Sequence, residues 1–295
     1  MHEAGGGELV FGEILTRWGH KIIITDPGFK PSPRWRTLGG FDHGKTNPTA
    51  LERAKVDHDG VIYLCGEYYM PGLTPKEHYA YIPDERLGWP DVFEWESIMA
   101  DPSIFDETQA QDSGKFRSIA QLYFEASEEA GGAALPLAQG NNNEAMGMER
   151  LLEHWRDLDH REPTLKIVCR MDYSRRQFGL FKEDSPNLVW ELKRARREKL
   201  TAQQLMRKNP SEKLVDKDNH GRDCLKYLLN GIPQAAEVTK EMKQERIVEK
   251  YAGDMTATHL ALQKLEREDD GDATGPIFGR GSRRGAADWR RTRGR

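Results

Sequence analysis

The chain has 295 residues, 37% of them hydrophobic and 31% charged, and a formal net charge of −4. That length suits one main folded domain with polar appendages, and the negative balance excludes a generally basic nucleic-acid-coating protein, so any such binding must come from local clusters of Lys and Arg. The three cysteines, Cys65, Cys169 and Cys224, lie far apart in apolar runs without a Cys-x-x-Cys pair, which predicts buried, reduced thiols. No apolar stretch is long enough to span a bilayer or to serve as a signal segment, so the expectation is a soluble intracellular protein.

In chain order, residues 1–34 begin in a glycine run and pass through Pro27, Pro31 and Pro33; they read as a linker with one short strand near Lys21 to Thr25. From Trp35 a strand runs into Phe41-Asp42. Thr49 to Val56 and the β-branched and aromatic run Val61 to Tyr69 give two more, joined across Asp57-His58-Asp59-Gly60, whose Asp-Gly pair is a hairpin signal. Thr74-Pro75-Lys76-Glu77 predicts a capped helix start, because Thr and Glu at that spacing satisfy each other's backbone donors. A short apolar segment, Trp95 to Ala100, then delivers Asp101. Helices are predicted over Ile119 to Glu129 and Glu144 to Arg156, with strands over Ala134 to Ala138 and Leu165 to Cys169. Residues 186–231 supply further helices, 233–269 read as a polar helical extension, and 270–295 as a disordered basic tail. An initial meander followed by interleaved helices and strands predicts an α/β fold with a mixed central β-sheet flanked by helices, occupying residues 35–232. Three antiparallel strands with a carboxylate ending the first are the opening of an RNase H-like domain.

Residues 39–46, Gly-Gly-Phe-Asp-His-Gly-Lys-Thr, satisfy the phosphate-loop pattern letter for letter, so a P-loop NTPase is an alternative. The pattern needs an apolar strand before it and an uninterrupted helix after it, whose N–H groups face the phosphates. Arg34, Arg36 and Thr37 make the preceding segment too polar, and Pro48 falls where that helix would begin.

The acids form a better-supported pattern. Asp42 and Asp101 each end an apolar run, and Asp223 opens the apolar helix Asp223-Cys224-Leu225-Lys226-Tyr227-Leu228-Leu229. Hard divalent cations bind oxygen ligands, and a pair of them needs bridging carboxylates, so three such aspartates point to phosphodiester cleavage with Mg²⁺ or Mn²⁺, two ions. His220, three residues before Asp223, falls on the same helix face and is a candidate to orient water or touch phosphate. Glu67 is a weaker ligand candidate, and Asp106 and Asp112 are alternatives to Asp101. For DNA, the segment Lys193 to Lys213 has eight Lys or Arg against Glu198 and Glu212, with Arg194, Arg196, Arg197 and Lys199 the leading candidates.

The block GFDHGKTNPTALERAKVDHDGVIYLCGEYYMPGLTPKEH, followed by MADPSIFD and KDNHGRDCLKYLL, resembles the C-terminal nuclease domain of the large terminase subunit of tailed bacteriophages. The similarity extends over residues 35–231. It implies an endonuclease that cuts double-stranded viral DNA during genome packaging in the host cytoplasm, with Asp42 bridging two metals and Asp101 and Asp223 holding one each. It also implies four partners: double-stranded DNA, the portal protein, the small terminase subunit and the ATPase domain of the large subunit. No such ATPase motor precedes the block, which implies a fragment or a split subunit, and the segment Gly114 to Asn143 is longer than the family pattern. The alternatives are a resolvase or transposase of the same fold, and a non-catalytic portal or DNA interaction module.

Overall fold

The computed structural model describes residues 9–82, 95–109, 116–198, 214–215, 217–232, 244 and 247–273, with side chains of the last helix described through Leu265. Asp112, Lys199 and the tail 274–295 lie outside the described residues. The chain divides into two units, Met1–Glu237 and Val238–Arg295.

In the first unit the elements are α1 (Gly12–Ile22), β1 (Ile23–Ile24), β2 (Arg36–Asp42), β3 (Thr49–Val56), β4 (Ile62–Met70), α2 (Pro75–Tyr81) and β5 (Ser97–Ala100). They continue with β6 (Thr108–Gln109), β7 (Phe116–Arg117), α3 (Ile119–Ala130), β8 (Leu137–Gln139), α4 (Glu144–His154) and β9 (Leu165–Val168), then β10 (Gly179–Lys182), α5 (Pro186–Arg194) and α6 (His220–Gly231). The main sheet has the order β1-β9-β4-β3-β2-β5-β8, with β10 pairing the second half of β4 on the edge whose first half pairs β9. The first three long strands are an antiparallel meander, whereas β5 and β8 run parallel to β2, and β9 runs parallel to β4. This is the mixed, helix-flanked sheet that the pattern of hydrophobic runs predicts.

The meander turns where Gly60, with φ of 76°, adopts the left-handed conformation that its missing side chain permits. Thr74 and Glu77 form the full reciprocal cap of α2. One face of the sheet packs Leu15, Leu188, Leu192, Leu225 and Leu228 from α1, α5 and α6, with Phe11 and Trp155 from the caps of α1 and α4; the other packs Tyr79, Tyr123 and Ala126 from α2 and α3 against Phe41 and Leu51. Strand β3 is consequently buried along its whole length. Its Lys55 reaches a hydroxyl instead of water, donating to Thr37 Oγ1 at 2.6 Å.

One sequence expectation is corrected here, and one alternative is removed. Residues 9–22 are not a linker, because α1 and its N-cap place Phe11, Leu15 and Ile22 in the core, whereas the short strand expected near Lys21 to Thr25 is present as β1, paired in parallel with β9. The spacing of the three core residues, four and seven, is a helical stripe that the flanking glycines and prolines obscure. Residues 39–46 are not a phosphate loop either, because Gly39 and Gly40 lie within β2 and the chain goes on into strand β3 instead of a helix. The two glycines serve packing on opposite faces of the strand. A Cβ on Gly39 would come within 2.3 Å of the Trp95 ring, and one on Gly40 within 1.9 Å of the Cys224 carbonyl oxygen.

In the second unit, helix α7 (Met255–Ala273) starts where Asp254 Oδ1 accepts the N–H groups of Thr256 and Ala257, at 3.1 and 2.9 Å. The helix runs four residues past the expected limit at 269, through Asp270, Gly271, Asp272 and Ala273, whose composition alone suggests a tail.

Three glutamates, Glu52, Glu67 and Glu191, are buried behind the sheet end, at 0%, 0% and 1% exposure. Glu67 stands directly opposite Glu52 in the β3–β4 register and caps α5, accepting the N–H of Leu188 at 2.8 Å and of Asn187 at 3.0 Å. Among the described residues neither oxygen of Glu52 has a hydrogen-bond partner, and burial, reinforced by the charge of Glu67, pushes its pKa well up. Burial likewise raises Glu191, to about 7. An acid raised in the folded state contributes stability that is complete below the ordinary glutamate range and is lost as pH rises through the folded pKa. Glu52→Gln, which cannot ionise, is therefore expected to melt several degrees above the wild type at about pH 8 and within about 2 °C of it near pH 4, because each kcal/mol moves Tm by about 2–4 °C at this size. Thermal melts at the two pH values check this; an equal shift at both would refute the charge argument.

Candidate metal-dependent hydrolytic site

Because β2 and β5 are parallel neighbours with Phe41 opposite Ala100, their next residues, Asp42 and Asp101, emerge side by side at the C-terminal sheet end. The backbone N–H of Asp101 donates to the Phe41 carbonyl at 3.0 Å, which fixes this adjacency. Helix α6 lies across the same end. Its close approach at Gly40 brings His220 and Asp223, one helical turn apart, to the two strand ends.

Each aspartate is held by a defined set of donors. His220 Nδ1 lies 2.8 Å from Asp42 Oδ2, and both side chains are mostly buried, at 12% and 14% exposure. Burial raises the pKa of Asp42; the hydrogen bond and charge of His220 oppose this, and the charges of Asp223 and Asp101 add to it. For His220 burial lowers the pKa, yet the hydrogen bond and charge of Asp42, with Glu191 and Asp223, outweigh it and the net shift is upward. Asp101 accepts the Ser103 N–H on Oδ1 at 2.8 Å and the Tyr227 hydroxyl on Oδ2 at 2.9 Å. Asp223 accepts Asn219 Nδ2 on Oδ2 at 2.6 Å and Lys226 Nζ on Oδ1 at 2.9 Å.

Asp42, Asp223, His220 and Asn219 line an open polar cleft together with His43. His43 Nδ1 lies 3.0 Å from the Tyr123 hydroxyl and 3.3 Å from Thr49 Oγ1, and Thr49 in turn meets His78 Nε2 at 2.9 Å. Burial lowers both imidazoles to about 4, so this wall of the cleft is uncharged at neutral pH.

The structure thus brings together Asp42, Asp101, Asp223 and His220. It does not bring Glu67 there, for that carboxylate is fully buried and spent on capping α5, whose own N-cap Ser185 makes no capping side-chain hydrogen bond. Asp106 is exposed beyond a short 3-10 turn, Pro102–Phe105. Arg194 ends α5 and stacks 4.4 Å over the Trp190 ring, while Arg196 and Arg197 form β-bridges to Leu9 and Leu214. The basic segment is therefore no continuous helix, because α5 stops at Arg194. Sequence reasoning missed Asn219, Lys226 and Tyr227, although Tyr227 follows Asp223 by four residues and Lys226 by three, the spacing that puts them on one face.

The donor set of three carboxylates and an imidazole suits hard divalent cations such as Mg²⁺ or Mn²⁺. Among the described residues no group of three His, Cys, Asp or Glu side chains is placed to hold a metal ion as they stand. Binding an ion requires the aspartates to exchange some of their present protein partners.

No family model matches the sequence, and no curated protein matches it. Solved structures do. The large terminase of a thermophilic bacteriophage, in complex with ADP, aligns with TM-score 0.49 and 14% identity over 72% of this chain and 42% of that one. The P22 large terminase nuclease domain aligns at 0.44 and 14%, over 70% and 86% of the two chains. The nuclease domain of the bacteriophage SPP1 large terminase with bound Mn aligns at 0.43 and 16%, over 70% and 95%. This chain spans less than half the length of the thermophilic phage protein. It is similar in fold to the nuclease domains of large terminases.

Proposed function

We propose that this chain is the metal-dependent endonuclease part of a phage DNA-packaging terminase large subunit, cutting double-stranded DNA in the host cytoplasm. The observation that supports this is the convergence of Asp42, Asp101 and Asp223, contributed by two parallel strand ends and one helix start, on a single sheet end. Mg²⁺ or Mn²⁺, when bound, supplies water activation and neutralises charge developing on the phosphate. Asp42, Asp101 and Asp223 would hold it. His220 fixes the rotamer of Asp42 and presents its second ring nitrogen for a proton or a phosphate oxygen, Tyr227 fixes Asp101, and Asn219 fixes Asp223. Arg194, Arg196, Arg197 and Lys199 contribute sequence-independent phosphate contacts. Portal protein, small subunit and ATPase domain are the partners this role requires.

The test is nicking of supercoiled plasmid by the purified chain. Cutting is expected in Mg²⁺ or Mn²⁺, none in chelator, and little in Ca²⁺, whose looser coordination does not enforce the geometry. ATP is expected to go unhydrolysed and Lys45→Ala to cut normally, since residues 39–42 are strand. Cutting that survives chelator, or ATP turnover dependent on Lys45, would overturn the reading.

A further inference from the structure

Lys226 is set into the site unlike an ordinary surface lysine. Its side chain is only 12% exposed, its Nζ lies 2.9 Å from Asp223 Oδ1, and it sits 4.6 Å over the Tyr227 ring. Its stem runs past Gly147 of α4, where a Cβ would come within 2.8 Å of Lys226 Cγ, so the missing side chain there makes room for it. With Asn219 on the other oxygen, both oxygens of Asp223 are engaged by residues of its own helix or helix cap. Asp42 and Asp101 differ: their partners are an imidazole, a hydroxyl and a backbone N–H, none of them a permanent cation.

A fixed ammonium against a carboxylate already provides much of what a metal ion would provide there, and it repels a divalent ion brought to the same oxygen at close range. We propose that Lys226 acts as a built-in cation at Asp223: the free protein holds one divalent ion tightly, at Asp42 and Asp101, and a second joins only after Lys226 leaves Asp223. Lys226 is thus a positioning residue that sets metal stoichiometry. The inference rests on the proposed metal-dependent nuclease, and it departs from the expectation of two equivalent ions.

Titration of Mn²⁺ followed by the electron spin resonance of the free ion tests it without any turnover. The wild type is expected to bind one Mn²⁺, with a second at least about tenfold weaker, equivalent to about 1.4 kcal/mol. Lys226→Met, which keeps the stem and removes the charge, is expected to bind two ions with affinities within about threefold of each other. Gly147→Ala, which crowds the stem while keeping the lysine, is expected to strengthen the second site part of the way, and it serves if Lys226→Met does not fold. Two equally tight ions in the wild type, or a single ion in both variants, would overturn the role of Lys226 even if plasmid is cut. Absence of Mn²⁺ binding in every form, with no cutting, would instead remove the nuclease reading itself.

Discussion

Asp42→Asn is expected to lower plasmid nicking by about a thousandfold or more while leaving the fold intact. On the proposed mechanism the carboxylate would supply negative charge to hold a cation against the scissile phosphate, and several kcal/mol of transition-state stabilisation would depend on that cation. At about 1.4 kcal/mol per tenfold in rate, losing about 4 kcal/mol gives this reduction. Stability should respond in the opposite sense. Burial raises the pKa of Asp42 in the folded protein, so its ionisation costs stability as pH rises through that pKa, and the neutral amide stands in for the protonated acid. The variant is therefore expected to melt no lower than the wild type at about pH 7, apart from what His220 loses in pairing. Nicking rate and melting temperature measured on one preparation check both halves: activity near wild type would sink the site assignment, and inactivity with a melt about 10 °C lower would attribute the loss to unfolding.

Gly40→Ala is expected to have the largest effect on stability. The added methyl would stand 1.9 Å from the Cys224 carbonyl oxygen; a methyl has no rotamer to change and the atoms it meets are backbone, so nothing local relieves the contact. Overpacking usually costs about 1–3 kcal/mol and more where nothing can yield, which places this variant at about 3 kcal/mol or above. With about 2–4 °C per kcal/mol, Tm should fall by at least about 6 °C. Activity should fall further than stability, because the methyl pushes α6, and with it His220 and Asp223, away from Asp42. Gly60→Ala is the control: nothing lies within 4 Å of its added methyl, and only its φ of 76° is strained, so a cost of about 1 kcal/mol without loss of cutting is expected. A Gly40→Ala protein as stable as the wild type would show that α6 does not dock on β2 as described.

Much of this arrangement was legible in the sequence because it depends on local chemistry. The Asp-Gly turn, the Thr74 cap and the β-branched runs each encode an element through neighbouring residues, and an acid at the end of an apolar run marks a strand's exit. Non-local features were not legible. That Glu52 faces Glu67 is set by the β3–β4 register, and that Lys226 lies against Asp223 depends on room left by a glycine of another helix. The reason for Gly39 and Gly40 within β2 was equally hidden, since it lies in the Trp95 ring and the Cys224 carbonyl that each closely approaches. Helix α1 was hidden by composition, its apolar stripe lying between glycines and prolines.

The hydrogen bond between His220 and Asp42 joins residues 178 positions apart. Contacts this distant form late in folding, since loop closure must precede any gain from them. During synthesis at about 5–20 residues per second, roughly 10–35 s separate the appearance of the strand from that of the helix. Through that interval the meander can form while its lone strand-end aspartates lack α6 and everything α6 carries. A nascent chain that has not yet reached α6 therefore lacks His220 and Asp223, and the cleft takes shape only once that helix has emerged.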